Sequence, residues 1–201
     1  MAREKVLQVF AAAVGAQVPW QTVFEHIFYR DFTVDVPTPD RPLLSVEEVQ
    51  ELEADTPIRW EEKDVEFARR LLQAAEQSLE LGTSILRQVL QNWDVGRLVP
   101  IDRLILQLGI AEMLAFPQMP VPVVIDEAVE LAKKYSTAHS GQFVNGVLEA
   151  AYYWMVQHGL RPPSPEMAAP ITDRPFPSVE VPEEYSSIVG YTGSRQEQGA
   201  G

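Results

Sequence analysis

From residue 100 to residue 158 three successive runs place an apolar residue every three or four positions, with proline or glycine closing the first and the last. Ile101, Leu104, Ile105, Leu108, Ala111 and Leu114 make the first run. Ile125, Ala128, Val129 and Ala132 make the second, and Phe143, Val147, Leu148, Ala151 and Trp154 or Met155 the third. Apolar residues at that spacing line one side of a helix, and such a stripe leaves water only by packing on another. The stops agree with the runs. Pro100 is harmless in a first turn, where its missing N–H would have had no partner. Phe116-Pro117 ends the first helix. Met119-Pro120-Val121-Pro122 favours extended backbone before the second, because a residue ahead of proline is pushed out of the α region. Gly159 supplies the last terminator.

The N-terminal half follows the same rule. Val6, Val9, Phe10, Ala13 and Val14 form a stripe over residues 2–14, which Gly15 and Pro19 end. A helix opening at Pro19 carries Val23, Phe24, Ile27 and Phe28 inward. A longer one, from about 61 to 81, buries Val65, Phe67, Ala68, Leu71, Leu72, Ala75 and Leu79, with Gly82 as its stop and a short helix over about 84–91 after it. Seven helical segments and no strand predict an all-α fold.

Two stretches depart from this pattern. Residues 31–60 hold Pro37, Pro39, Pro42 and Pro57 among many carboxylates, which predicts an acidic loop insertion. Within it Ser45 and Glu48 have the spacing of a capping box opening a short helix over 46–52. Beyond Leu160, seven prolines fall between Pro162 and Pro182, predicting a flexible Pro-rich tail over 161–201. The net charge is −13, of which −9 lies in residues 31–66. Such a chain does not coat nucleic acid by bulk electrostatics, but a near-neutral helical body is compatible with a local basic face. The absence of a secretory signal and of a long uncharged apolar run predicts a cytoplasmic protein without a membrane span.

Catalytic chemistry finds little to work with. No cysteine is present, so disulfides, thiolate metal sites and cysteine nucleophiles are excluded. His26, His139 and His158 lack a second ligand at metal-binding spacing, so no metal is expected. Asp126 and Glu130 share a helical face, but carboxylates at a helix start are what the positive end of the helix dipole favours. No phosphate loop, nucleophile elbow or cofactor fingerprint occurs, so the chain is expected to be no enzyme, with no cofactor and no small-molecule substrate. Tyr152, Tyr153 and Trp154 have the rings to stack bases, although an aromatic run on a helix more often packs in the core. Lys133-Lys134 suit phosphates or the negative end of their own helix, and Arg69-Arg70 are equally ambiguous.

Three blocks then share a register. Asn92-Trp93, Arg97-Leu98 and Ile101-Asp102-Arg103-Leu104-Ile105-Leu106 lead to Glu112. Val121-Pro122-Val123-Val124-Ile125-Asp126-Glu127-Ala128-Val129-Glu130-Leu131-Ala132-Lys133-Lys134-Tyr135 follows, and Phe143-Val144-Asn145-Gly146-Val147-Leu148 closes the series. Over residues 65–158 this sequence resembles the NusB family in motifs and in the spacing between them. Residues 2–9 resemble the family's first helix more weakly.

The resemblance implies two helical-bundle subdomains, here 1–82 and 83–160. It also implies a transcription antitermination factor that pairs with the ribosomal protein NusE, binds boxA-type RNA, and acts with the RNA polymerase antitermination complex on ribosomal RNA operons. Carried over residue by residue, it implies RNA contacts at Arg3, Lys5, Arg103, Gln142 and Phe143, and partner contacts at Asp102 and Glu112. Several cations usual in the family are missing. Arg3 and Lys5 are what remains of an arginine-rich start, while Gln107 and Gln142 stand where arginine and lysine are common. Asp126 replaces an asparagine, and Ala11 a tyrosine. Each lost cation removes a possible phosphate contact, so an alternative is a protein–protein adaptor of the same fold with reduced or lost RNA binding. Asn145 and Gly146 are expected to serve helix packing.

Overall fold

The computed structural model describes residues 2–29, 60–90 and 95–167. Most of the acidic insertion with its capping box, the Asn92-Trp93 pair and the tail from 168 onward lie outside the described residues. Within them are seven α-helices and no strand: α1 (Ala2–Ala16), α2 (Trp20–Phe28), α3 (Glu62–Gln77), α4 (Leu79–Val89), α5 (Pro100–Ala115), α6 (Val121–Tyr135) and α7 (Ser140–Gln157). A single 3-10 turn, Val95–Arg97, precedes α5.

Helix α5 is the hub. Its residues 104–114 are buried all round, because α1, α3, α4, α6 and α7 each pack against it. Gly109 allows the closest approach: a Cβ there would lie 2.9 Å from a methyl of Leu148 on α7. The buried side chains of 1–82 and of 83–160 belong to one connected hydrophobic cluster. Burying a leucine-sized side chain contributes roughly 1.5–3 kcal/mol, so the many apolar residues around α5 are the main source of stability. Aromatic rings extend the cluster toward the insertion. Phe24 stacks on Phe28 at 4.4 Å, and Phe28 meets Trp60 at 5.0 Å, which brings the described residues on either side of the insertion together.

Two boundaries and the exposure of two residues differ from expectation. The long helix breaks at Ser78 rather than at Gly82, which lies inside α4. The buried Ser78 hydroxyl donates to the Ala74 carbonyl at 2.6 Å, a local bond that competes with helix continuation. Past the break the helical phase changes, and Leu79 is exposed rather than buried. Val14 is likewise exposed, at the end of α1. Finally, the ordered body runs past Leu160 to Met167. Gly159 turns the chain back with φ of 67°. Arg161, 2% exposed, then donates to the carbonyls of Met113, Phe116, Pro117 and Met119, capping the end of α5.

Candidate nucleic-acid interface

The last turn of α6 carries Lys133 and Lys134, favourably placed at the negative end of that helix. On one side lies the first turn of α1, and on the other the start of α7. The contact with α7 is tight: a Cβ on Gly141 would lie 3.2 Å from Cγ of Lys133. The first turn of α1, which carries Arg3 and Lys5, and the start of α7, which carries Gln142 and Phe143, thus both border this turn of α6.

Arg3 points into the body. Its Nε donates to Glu112 Oε2 at 2.9 Å and its Nη2 to Oε1 at 2.5 Å, while Nη1 lies 3.7 Å from Glu127. The guanidinium also covers the Phe67 ring at 5.0 Å. Side-chain exposure is 19% for Arg3 and 3% for Glu112, so the pair is largely withdrawn from water. Burial alone would lower the Arg3 pKa, but the Glu112 hydrogen bonds and charge, with Glu127, outweigh it and leave it raised.

The next residue behaves differently. Glu4 accepts from Lys134 Nζ at 2.6 Å and from the Tyr135 hydroxyl. These bonds hold the Glu4 carboxyl below its usual range, the Lys134 bond contributing most, and the same bond raises Lys134. Lys5 donates to Gln8 at 3.0 Å, and Lys133 to Glu130, one turn earlier on α6, at 2.7 Å. Between α1 and α6 a cleft of about 380 Å³ is lined by Glu4, Glu127, Glu130, Leu131, Lys133 and Lys134. Three carboxylates and two lysines line it, and Arg3 lies 3.7 Å from one of those carboxylates, Glu127.

At the start of α7, Ser140 donates to Asp102 Oδ2 at 2.8 Å and also meets the hydroxyls of Ser136 and Thr137. Asp102 is 4% exposed, and its Oδ1 has no hydrogen-bond partner among the described residues. Beside it Arg103 is half-buried and makes no ion pair with a described residue. Gln142 is exposed, and Phe143 is half-buried against the core.

The structure therefore separates the seven expected site residues. Lys5, Arg103, Gln142 and Phe143 keep some exposed surface. Arg3, Asp102 and Glu112 are instead engaged inside the protein. Direct partner contact by Glu112 would require breaking its ion pair with Arg3, and contact by Asp102 would require uncovering its buried Oδ1. The packing role expected of Asn145 and Gly146 is also corrected: both are exposed, and a Cβ on Gly146 would meet nothing within 4 Å. Helical phase carried that signal, since 142, 145, 146 and 149 fall opposite the buried Val144, Val147, Leu148 and Ala151. Tyr152 and Trp154 are buried and Tyr153 is half-buried, so most of that aromatic run is core.

No group of three or more histidine, aspartate or glutamate side chains among the described residues is arranged to hold a metal ion. No described helix is long and apolar enough to cross a membrane.

The sequence model of the NusB family matches residues 37–152. The transcription antitermination protein NusB of Symbiobacterium thermophilum is 43% identical over 100 residues, which is 49% of this chain and 65% of that protein. This chain thus matches slightly less than two thirds of that relative's length. Among solved structures, a chain in a plectonemic RNA supercoil crystal structure is 26% identical with a TM-score of 0.57, covering 77% of this chain and 94% of that one. A chain in a crystal structure of antitermination factors NusB and NusE in complex with double-stranded RNA is 25% identical with a TM-score of 0.55, covering 76% and 93%.

Proposed function

This chain belongs to the NusB family, and we propose that it is a non-enzymatic antitermination factor that binds boxA-type RNA jointly with the ribosomal protein NusE and lets RNA polymerase pass terminators in ribosomal RNA operons. The observation that carries the reading is the solvent-facing side of α7, where Gln142, Asn145 and Gly146 are exposed beside Phe143 and next to the lysine-bearing end of α6. RNA recognition by protein combines phosphate contacts that position the strand with aromatic and amide groups that meet unpaired bases. Lys5 and Arg103 supply the first kind of group. Gln142, Phe143 and Asn145 supply the second, and Arg3 contributes by holding α1 against α5 and α6. The relative named for antitermination and the neighbouring NusB–NusE–RNA complex support the same reading.

The test is retention of a labelled boxA oligoribonucleotide by the full chain with purified NusE, against a scrambled oligonucleotide of equal length. Tighter retention of boxA, weakening as salt rises, is the expected result. Equal retention of the two RNAs overturns the specificity. One observation favours a second reading, a NusB-fold adaptor without RNA binding: Arg3, Lys133 and Lys134 are all paired with carboxylates of this same chain. That reading predicts NusE binding with no RNA retained even at low salt.

A further inference from the structure

Resting on the RNA-binding reading above, we propose that the cleft between α1 and the end of α6 is a phosphate subsite for the RNA backbone, with Lys134 as its main contact and the Glu4 carboxylate standing in the phosphate's place in the free protein. The cleft is about 380 Å³, roomy enough to admit a phosphate group, and its lining brings Lys133 and Lys134 together with the carboxylates of Glu4, Glu127 and Glu130. Glu127 lies 3.7 Å from Arg3 and Glu130 is bonded to Lys133, which leaves Glu4 as the partner of Lys134. It lies between the first turn of α1 and the last turns of α6, and a Cβ on Gly141, at the start of α7, would lie 3.2 Å from Cγ of Lys133. A strand crossing Gln142 and Phe143 therefore has its next cations here.

The local contacts allow the exchange. Lys134 is 59% exposed and Glu4 27%, so water already reaches the pair, and exposed ion pairs of this kind are weakly held. Glu4 is not stranded when it lets go, because it sits in the first turn of α1, where unpaired N–H groups and the positive end of the helix dipole favour an anion. The Tyr135 hydroxyl remains as a donor beside it. Lys133 adds a second cation whose partner, Glu130, is itself exposed. Arg3 does not join the exchange, since releasing it would leave Glu112 buried and unpaired.

The experiment compares four full-length proteins: wild type, Glu4→Gln, Lys134→Gln and the double variant. Each is titrated against a fluorescent single-stranded boxA oligoribonucleotide, with NusE present, over a range of salt concentrations. Glutamine at position 4 keeps an acceptor for Tyr135 while removing the competing charge. Glu4→Gln is expected to bind about three- to tenfold tighter, and Lys134→Gln to flatten the slope of log affinity against log salt by about 0.7, the value of one single-strand phosphate contact. In the double variant the gain from Glu4→Gln is expected to vanish.

Wild-type affinity and slope in both single variants overturn the subsite while leaving RNA binding standing. So does an equal gain from Glu4→Gln with and without Lys134, which reveals a general charge effect. If none of the four proteins retains RNA at low salt, while circular dichroism shows all of them folded, the RNA-binding reading falls and the subsite with it.

Discussion

Arg3 and Glu4 are neighbours in the same first turn of α1, and both make ion pairs across more than a hundred residues of sequence. The two pairs have opposite character. Arg3 meets Glu112 in a largely buried, bidentate geometry reinforced by the Phe67 ring, whereas Glu4 meets Lys134 at the edge of an open cleft. Attraction between charges grows as water leaves, and so does the cost of separating them. The inner pair therefore fixes where α1 sits on α5 and α6. The outer pair is free to trade its partner, so one helical turn carries both an anchor and an exchangeable contact.

The largest expected effect comes from breaking the inner pair. Arg3→Ala leaves the Glu112 carboxylate buried without its cation and removes the cover over Phe67. The expected loss of stability is about 3–5 kcal/mol, read from urea unfolding followed by circular dichroism. Lys134→Gln, measured alongside, is expected to leave the urea midpoint nearly unchanged. A similar small shift for both variants would erase the distinction between anchor and exchangeable contact.

That distinction was not legible in the sequence. The helices and most of their stops were, because periodicity and proline placement are local: Pro100, Phe116-Pro117, Pro120 and Gly159 each act where expected, whereas Val121, expected to be extended ahead of Pro122, is helical, since a proline in the first turn of α6 gives up no intrahelical hydrogen bond. What failed depended on tertiary contact. The break at Ser78 is set by a buried hydroxyl, and it reverses the side on which Leu79 lies. Arg161 lies in a proline-rich stretch whose composition predicts a tail, yet four carbonyls at the end of α5 hold it. The candidate site was legible in part. The Phe-Val-Asn-Gly motif marked the right end of α7, while the pairings of Arg3 and Glu4 join residues 109 and 130 positions apart, a distance that no local pattern spans.

Asp102 sharpens the comparison from a third direction. Like Glu112 it is a buried carboxylate on α5, but its hydrogen-bond partner is the Ser140 hydroxyl, and Oδ1 accepts nothing from the described residues. Its compensation comes from helix geometry, since it occupies the first turn of α5 beside the start of α7. Asp102→Asn removes a buried charge along with that dipole attraction, two effects of opposite sign. Stability is expected to change by less than about 1 kcal/mol, against a several-fold larger loss for Arg3→Ala. A loss as large as that of Arg3→Ala would mean that Asp102 is held by more than its hydroxyl and the helix ends.

The smallest effect, and the one most specific to the outer pair, is in pH. The Glu4 carboxyl is held below the usual carboxylate range in the folded protein, chiefly by the hydrogen bond from Lys134, so its contacts stabilise the fold above that range and cease to do so as pH falls through the lowered value. Lys134 is raised above 10.5, which keeps the pair intact through neutral and mildly alkaline conditions. The groups facing Glu4 across the cleft are Lys133, Lys134, Tyr135, Glu127 and Glu130, all of them retained in Glu4→Gln. The difference between the two proteins therefore isolates Glu4. Wild type is expected to be slightly the more stable at pH 7, with the gap constant down to about pH 5 and closing below it as the acid comes to resemble the amide. A gap that persists unchanged to pH 3 would show that the stabilising contact is the hydrogen bond from Tyr135, and that the charge attraction to Lys134 contributes nothing for an incoming phosphate to replace.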